Sequence, residues 1–229
     1  MFYFDPLYLI ISLPALILGF IAQIKVKSAF NKYNQIPNQA GMTGAKIART
    51  MLDSAGLYNV SIERVRGFLS DHYDPRTRKL RLSPQVFDGA SIASLGVAAH
   101  ECGHALQHSE SYGWLKFRTW MVPTTSIGSY LGPLIFLVGF MFSIQPIAWL
   151  GVGLFSLVAV FTLITLPVEI NASTRAKKWS KQYLNLDRDQ QAGIKSVLDA
   201  AALTYVAAMM QAVSTLLYFV FLLTGSRRR

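Results

Sequence analysis

Fifty consecutive residues, 119–168, contain no Asp, Glu, Lys or Arg. One bilayer crossing takes roughly 20 apolar residues, so the run is too long for a single span. Ser143-Ile144-Gln145-Pro146 breaks it near the middle. It therefore reads as a tight hairpin of two spans, about 122–142 and 147–168. Two further runs have the same character. Residues 1–24 carry one charge, Asp5, and residues 200–226 carry none, which gives spans at about 7–24 and 200–223. The alternative, four buried core helices in a soluble protein, would need far more polar surface than 229 residues with 15% charged positions supply. The first span does not read as a signal peptide, because Lys25 and Lys27 follow the apolar run instead of preceding it.

The ionic residues fall into blocks 25–118 and 169–199 and the tail Arg227, Arg228, Arg229. The first block holds thirteen Lys and Arg and the second six, so the positive-inside rule puts both in the cytoplasm. Four crossings would then leave the Arg tail outside, against the same rule. Two crossings separate residue 121 from residue 169, so the two blocks share one side whatever the orientation. The excess of 22 basic over 12 acidic residues could suggest nucleic acid. No nucleic-acid motif surrounds the basic runs (Arg76, Arg78, Lys79, Arg81 and Arg175, Lys177, Lys178, Lys181), and anionic lipid headgroups explain them better. A single cysteine, Cys102, excludes an internal disulfide and a multi-cysteine metal site.

Within the first block, residues 42–55 show helical spacing of Ala45, Ile47, Ala48, Met51, Leu52 and Ala55, with Gly56 as a stop. Residues 60–65 alternate as a strand, Asp71 to Pro75 is turn chemistry, and Leu80-Arg81-Leu82 is a second short strand. Capping residues from Asp88 to Ser91 open a helix through about Gln107. The expected fold is a mainly α polytopic membrane protein, a single membrane-embedded domain over 1–229. About four transmembrane helices accompany a small α/β cytoplasmic insertion that leads into this last helix.

That helix carries His100-Glu101-Cys102-Gly103-His104, an HExxH. Histidines at i and i+4 share a helix face about 6 Å apart, so their rings can converge on one Zn²⁺. Glu101, one residue on, is placed to act as general base on a metal-activated water. With four His and four Glu in the chain, chance would produce the pattern on the order of 10⁻³ times. Cys102 is turned away from His100 by roughly 200° and reads as a packing residue.

For the third ligand, His108 is about 12 Å along the helix axis from His100, too far for an ordinary tetrahedral site. Glu110 would require the helix to break first. Glu169 is the better candidate. It is the only carboxylate in or at the ends of the hydrophobic hairpin, where an unpaired charge is costly and so usually functional, and it opens the second block on the motif's side. The expected centre is thus His100, His104 and Glu169 on one Zn²⁺ per chain, with Glu101 catalytic.

Several stretches together resemble the bacterial membrane zinc metallopeptidases of the YugP type. They are Asp71 to Pro75, Ala98 to Ala105 around the HExxH, Glu169 with Ala172-Ser173, and Ala201 to Val206. The resemblance covers nearly the whole chain. A looser one is to the HtpX/Ste24 membrane gluzincins, whose second motif is Glu-x-x-Ala-Asp; here Ser173 stands where the Asp would be. The resemblance implies a peptidase of a bacterial inner membrane with ligands His100, His104 and Glu169 and catalytic Glu101. The Ser leaves open what orients a ligating histidine: Ser173, Asn171, Asp71 or Asp74. Similarity to gluzincin-like folds also suggests the Leu80–Leu82 strand as an edge that pairs with substrate, an ordinary paired strand being the alternative.

Oxyanion stabilisation could come from His72, Tyr73, Tyr205 or Arg175. The expected partners are the bilayer and a membrane-associated polypeptide substrate. Two rivals use the same motif: a scaffold holding zinc in a closed site with His72 or His108 as fourth ligand, and a zinc hydrolase of a non-peptide amide or ester.

Overall fold

The structure is a computed structural model and describes residues 6–225. Four long helices carry most of the chain: α1 (Pro6–Asn34), α5 (Gly113–Met141), α6 (Gln145–Tyr183) and α7 (Arg188–Gly225). Each is long and apolar enough to cross a membrane. The four expected spans fall one in each. The helices outrun the spans: α6 has 39 residues, about 58 Å at 1.5 Å per residue, against a hydrocarbon core of about 30 Å. The Arg227–Arg229 tail lies outside the described residues.

Contacts divide the chain into two compact units. The first comprises α1 through Ala22, Lys116–Pro167 and α7 from Thr204. Here α5 and α6 form the hairpin expected from the uncharged run, with Ser143 at φ +57° in the turn. Their backbones meet closely at small residues: a Cβ on Gly151 would lie 2.3 Å from Phe136 N, and one on Gly128 2.5 Å from Leu154 O. Such approach replaces the hydrophobic driving force that apolar surroundings cannot supply. Phe136 stacks on Phe219 at 4.0 Å in the small core of this unit, while Trp120, Tyr130 and Phe142 are at least 70% exposed, as suits a lipid-facing surface.

The second unit comprises Gln23–Leu115 and Val168–Leu203. Its α2 (Gly44–Ser54) begins at Thr43, whose hydroxyl accepts from Lys46 N, and stops at Gly56, φ +72°. That is the conformation which glycine adopts without penalty. Ile47, Met51 and Leu52 of α2 are fully buried with Leu80, Leu82 and Leu95, each worth roughly 1.5–3 kcal/mol in burial. A short α3 (Pro84–Phe87) starts on Pro84, and α4 (Ile92–Ser109) is capped by Ser91 Oγ accepting from Ser94 N.

The sheet differs from expectation in two ways. It has three strands, β1 (Ser61–Arg64), β2 (His72–Asp74) and β3 (Lys79–Leu82), in the order β1-β3-β2. Residues 72–74, expected within a turn, pair antiparallel with β3, His72 opposite Arg81. The chain reverses over 75–78 instead. β3, the strand suggested as an edge, runs down the middle, parallel to β1 on its other side. Its alternating burial explains this: Leu80 and Leu82 both point into the core, which a central strand packed on a helix can satisfy. The outer strand that packs against α4 is β2.

Candidate metal centre

All residues of the centre belong to the second unit. Helical spacing on α4 sets His100 and His104 side by side, ring centroids 4.9 Å apart. The same i, i+4 spacing on α6 aligns Glu169 and Ser173, and the two pairs face each other. His100 Nε2 is 3.2 Å from Glu169 Oε2 and His100 Nδ1 is 3.0 Å from Ser173 Oγ. His104 Nε2 is 3.4 Å from the same Glu169 oxygen. Gly103 permits the approach of α6, since a Cβ there would lie 2.7 Å from Ala172 O. Any larger residue would push Glu169 away from the histidines.

Among the described residues, His100, His104 and Glu169 form a group whose ligand atoms all lie within 4.8 Å of one another. Bonds of about 2.0–2.1 Å to a tetrahedral Zn²⁺ put neighbouring ligand atoms roughly 3.3–3.4 Å apart. The separations of 3.2 and 3.4 Å match that requirement. The donor set, two imidazole nitrogens and one carboxylate, is also one that zinc accepts. The residues fit the metal. Neither His72 nor His108 belongs to the group.

His104 Nδ1 lies 3.0 Å from Gln107 Oε1. Gln107 is fully buried, and its Nε2 donates to Val168 O and Asn171 Oδ1 at 2.8 and 2.9 Å. Those two bonds fix which end of the amide faces the ring. Oε1 can only accept, so His104 carries a proton on Nδ1, and in the neutral ring the lone pair is then at Nε2, the atom beside Glu169. Asn171 Oδ1 also accepts from Arg175 Nε, and Arg175 grips Glu110 with two 2.7 Å bonds. The chain of contacts runs from the surface pair Arg175–Glu110 through Asn171 and Gln107 to His104.

Of the orienting groups left open by the sequence, Ser173 therefore serves His100, and Asn171 acts on His104 through Gln107. Asp71 and Asp74 contact neither ring. Asp71 accepts from Ser83 N and Oγ, and Asp74 holds Thr77 and Arg81. Gln107 was missed in the sequence; its signal was a polar residue at i+3 from His104. A Gln107→Leu protein should hold zinc about 10–100-fold more weakly, measured by competition with a chelating dye. An unchanged affinity would remove Gln107 from the centre.

Glu101 is buried, 8% exposed, one residue from His100. Burial pushes its carboxyl above the ordinary range, with the His100 and His104 rings opposing the rise. Cys102 packs against α2, its Sγ 3.6 Å from Ala48 O, and burial raises the thiol well above its usual value. The sequence reading of Cys102 as a packing residue agrees. The oxyanion candidates part ways. Arg175 is engaged by Glu110, and exposed His72 lies with Nδ1 2.8 Å from Ser70 O and Nε2 3.3 Å from Arg81. Tyr73 Oη is 2.9 Å from His108 Nδ1. Tyr205 belongs to the first unit.

The profile of the family described as "Putative neutral zinc metallopeptidase" matches residues 8–224. The chain belongs to this family. It is also 47% identical over 221 residues to "Putative membrane protease YugP" of Bacillus subtilis (strain 168), covering 96% of this chain and 98% of that protein. No solved structure matches the chain significantly. Family membership and four apolar helices make this a membrane protein of a zinc protease family, and the family's metal agrees with the donor set above.

Proposed function

We propose that this chain is a zinc-dependent membrane endopeptidase of gluzincin type, with His100, His104 and Glu169 holding one Zn²⁺ and Glu101 moving the proton. The observation that carries the reading is the pair of 3.2 and 3.4 Å separations from Glu169 Oε2 to the two histidines, in a group of three candidate ligands; a tetrahedral zinc held by three protein groups would take water or substrate as its fourth ligand. When bound, zinc supplies Lewis acidity: it lowers the pKa of the nucleophilic water and polarises the scissile carbonyl.

The chain's own residues do the rest. Ser173 and Gln107 hold the imidazoles in orientations that aim Nε2 at the centre. A Glu101 carboxylate oxygen takes the proton from the attacking water and returns it to the leaving nitrogen. Burial raises its proton affinity toward what that double task needs. β2 hydrogen-bonds β3 on one side only, and its other edge can pair with an extended substrate segment. The nineteen basic residues in blocks 25–118 and 169–199 favour a site on the cytoplasmic side of a bacterial inner membrane. Substrates on that side would be membrane-associated polypeptides or their cytoplasmic segments.

Protein purified in detergent should hold one zinc per chain and cleave an unstructured polypeptide such as casein. Chelator-stripped protein should lose at least about 90% of that rate and regain it on adding Zn²⁺. Stripped protein that cleaves as fast as loaded protein would sink the reading. Loaded protein that cleaves esters or acyl amides but no peptide would favour the non-peptide hydrolase.

A further inference from the structure

The Tyr73–His108 pair has no part in the chemistry above. It ties β2 to the last turn of α4. Around it opens a pocket of about 320 Å³ lined by Asn59, Tyr73, Arg78, His108, Ser109 and Ser111, with Ala105. The polar lining is a guanidinium, a phenol, an imidazole, an amide and two hydroxyls. No Asp or Glu lines it.

Arg78 is the telling member. Its φ is +53°, in the left-handed region that a side chain disfavours and glycine accepts. Arginine in place of glycine at this turn puts a guanidinium at the pocket. Its neighbours Lys79 and Arg81 take Glu63 and Asp74, and among the described residues no carboxylate pairs with Arg78. An accessible guanidinium beside hydroxyl donors is the chemistry that binds a carboxylate.

The pocket also has a defined place relative to the metal centre. Glu101, Ala105 and His108 stand at i, i+4 and i+7 on one face of α4. Position 108 lies about 6 Å along the axis beyond His104, and an extended peptide advances about 3.3 Å per residue. We propose that this pocket is a subsite for a substrate carboxylate, two or three residues from the scissile bond. The proposal rests on the peptidase reading above. The carboxylate can belong to an Asp or Glu side chain or to the substrate's C-terminus.

Zinc-loaded full-length protein in detergent is given two series of quenched fluorescent peptides. One carries Glu or Gln at each position flanking the cleavage site, with an amidated C-terminus. The other has no acidic residue and a free or amidated C-terminus. In one register the acid should exceed its neutral counterpart by about tenfold in kcat/KM, the first series marking a side chain and the second a terminus. Arg78→Gly should bring that ratio to within about twofold of one, while its melting temperature stays at or above wild type, because glycine suits the positive φ. The same peptides are titrated by fluorescence anisotropy against Glu101→Gln protein, which reads binding without turnover. Equal affinity for acidic and neutral peptides in every register overturns the subsite, as does a preference that survives Arg78→Gly. Acid-selective binding lost in Arg78→Gly but with no peptide cleaved by wild type would keep the subsite and sink the peptidase reading alone.

Discussion

Glu101→Gln should abolish most peptide hydrolysis, by about 10²–10⁴-fold in kcat, while the protein keeps one zinc per chain. The substitution preserves the shape of a side chain that is 8% exposed and has little room to move. It removes the one property the mechanism needs from it, a carboxylate oxygen that can accept and return a proton. Glu101 is absent from the group of ligand atoms, so metal content measured by elemental analysis should not change. A variant with half the wild-type rate would assign the base to another residue. A variant that loses both zinc and activity would make Glu101 a ligand and leave the base to be found.

Removing Glu169 should act on the metal itself. Glu169→Ala takes away the oxygen that lies 3.2 and 3.4 Å from the two histidines, leaving two ligands on one turn of α4. Zinc per chain should fall from about one to below about one tenth after dialysis against a weak chelator. The thermal signature should vanish with it: a metal at 1,000 times its Kd stabilises the folded state by about 4 kcal/mol, so wild type should melt well above its stripped form and the variant should not. Zinc binding equal to wild type would reopen the choice of third ligand. Because Glu169 is 2% exposed, Glu169→Gln is the companion variant. It keeps the volume and still offers a carbonyl oxygen, so a loss of zinc there cannot be blamed on a cavity.

Much of this centre was legible before any fold was known. An HExxH in a helical run already implies two imidazoles on one face, because that geometry is internal to a single helix. Glu169 stood out for a different reason: a carboxylate closing fifty uncharged residues is costly to leave without a role. The four spans followed from composition alone, since a bilayer selects for length and apolarity and nothing finer. Gln107 and Ser173 were harder. Both are ordinary polar residues whose meaning comes from what lies across the α4–α6 contact. Gln107 had appeared only as the approximate end of the motif helix, yet it sets the tautomer of His104.

The sheet shows the same division. Alternation located β1 and β3, but β2 is three residues long, and its Asp and flanking Pro read as a turn because local chemistry cannot show a partner strand. That β3 is central and β2 the outer strand against α4 was decided by packing, as Leu80 and Leu82 bury on the helix side. In this chain, then, periodicity, charge and spacing were enough for the helices, the four candidate spans and the choice of His100, His104 and Glu169 as candidate ligands, because each depends on contacts within one element or with the solvent around it. The close approach of α6 to Gly103, the amide that orients His104 and the placement of Arg78 at a pocket with Tyr73 and His108 depend on pairs of residues far apart in the chain. Such pairs are chosen by steric fit between elements, and that fit exists only once the elements have packed.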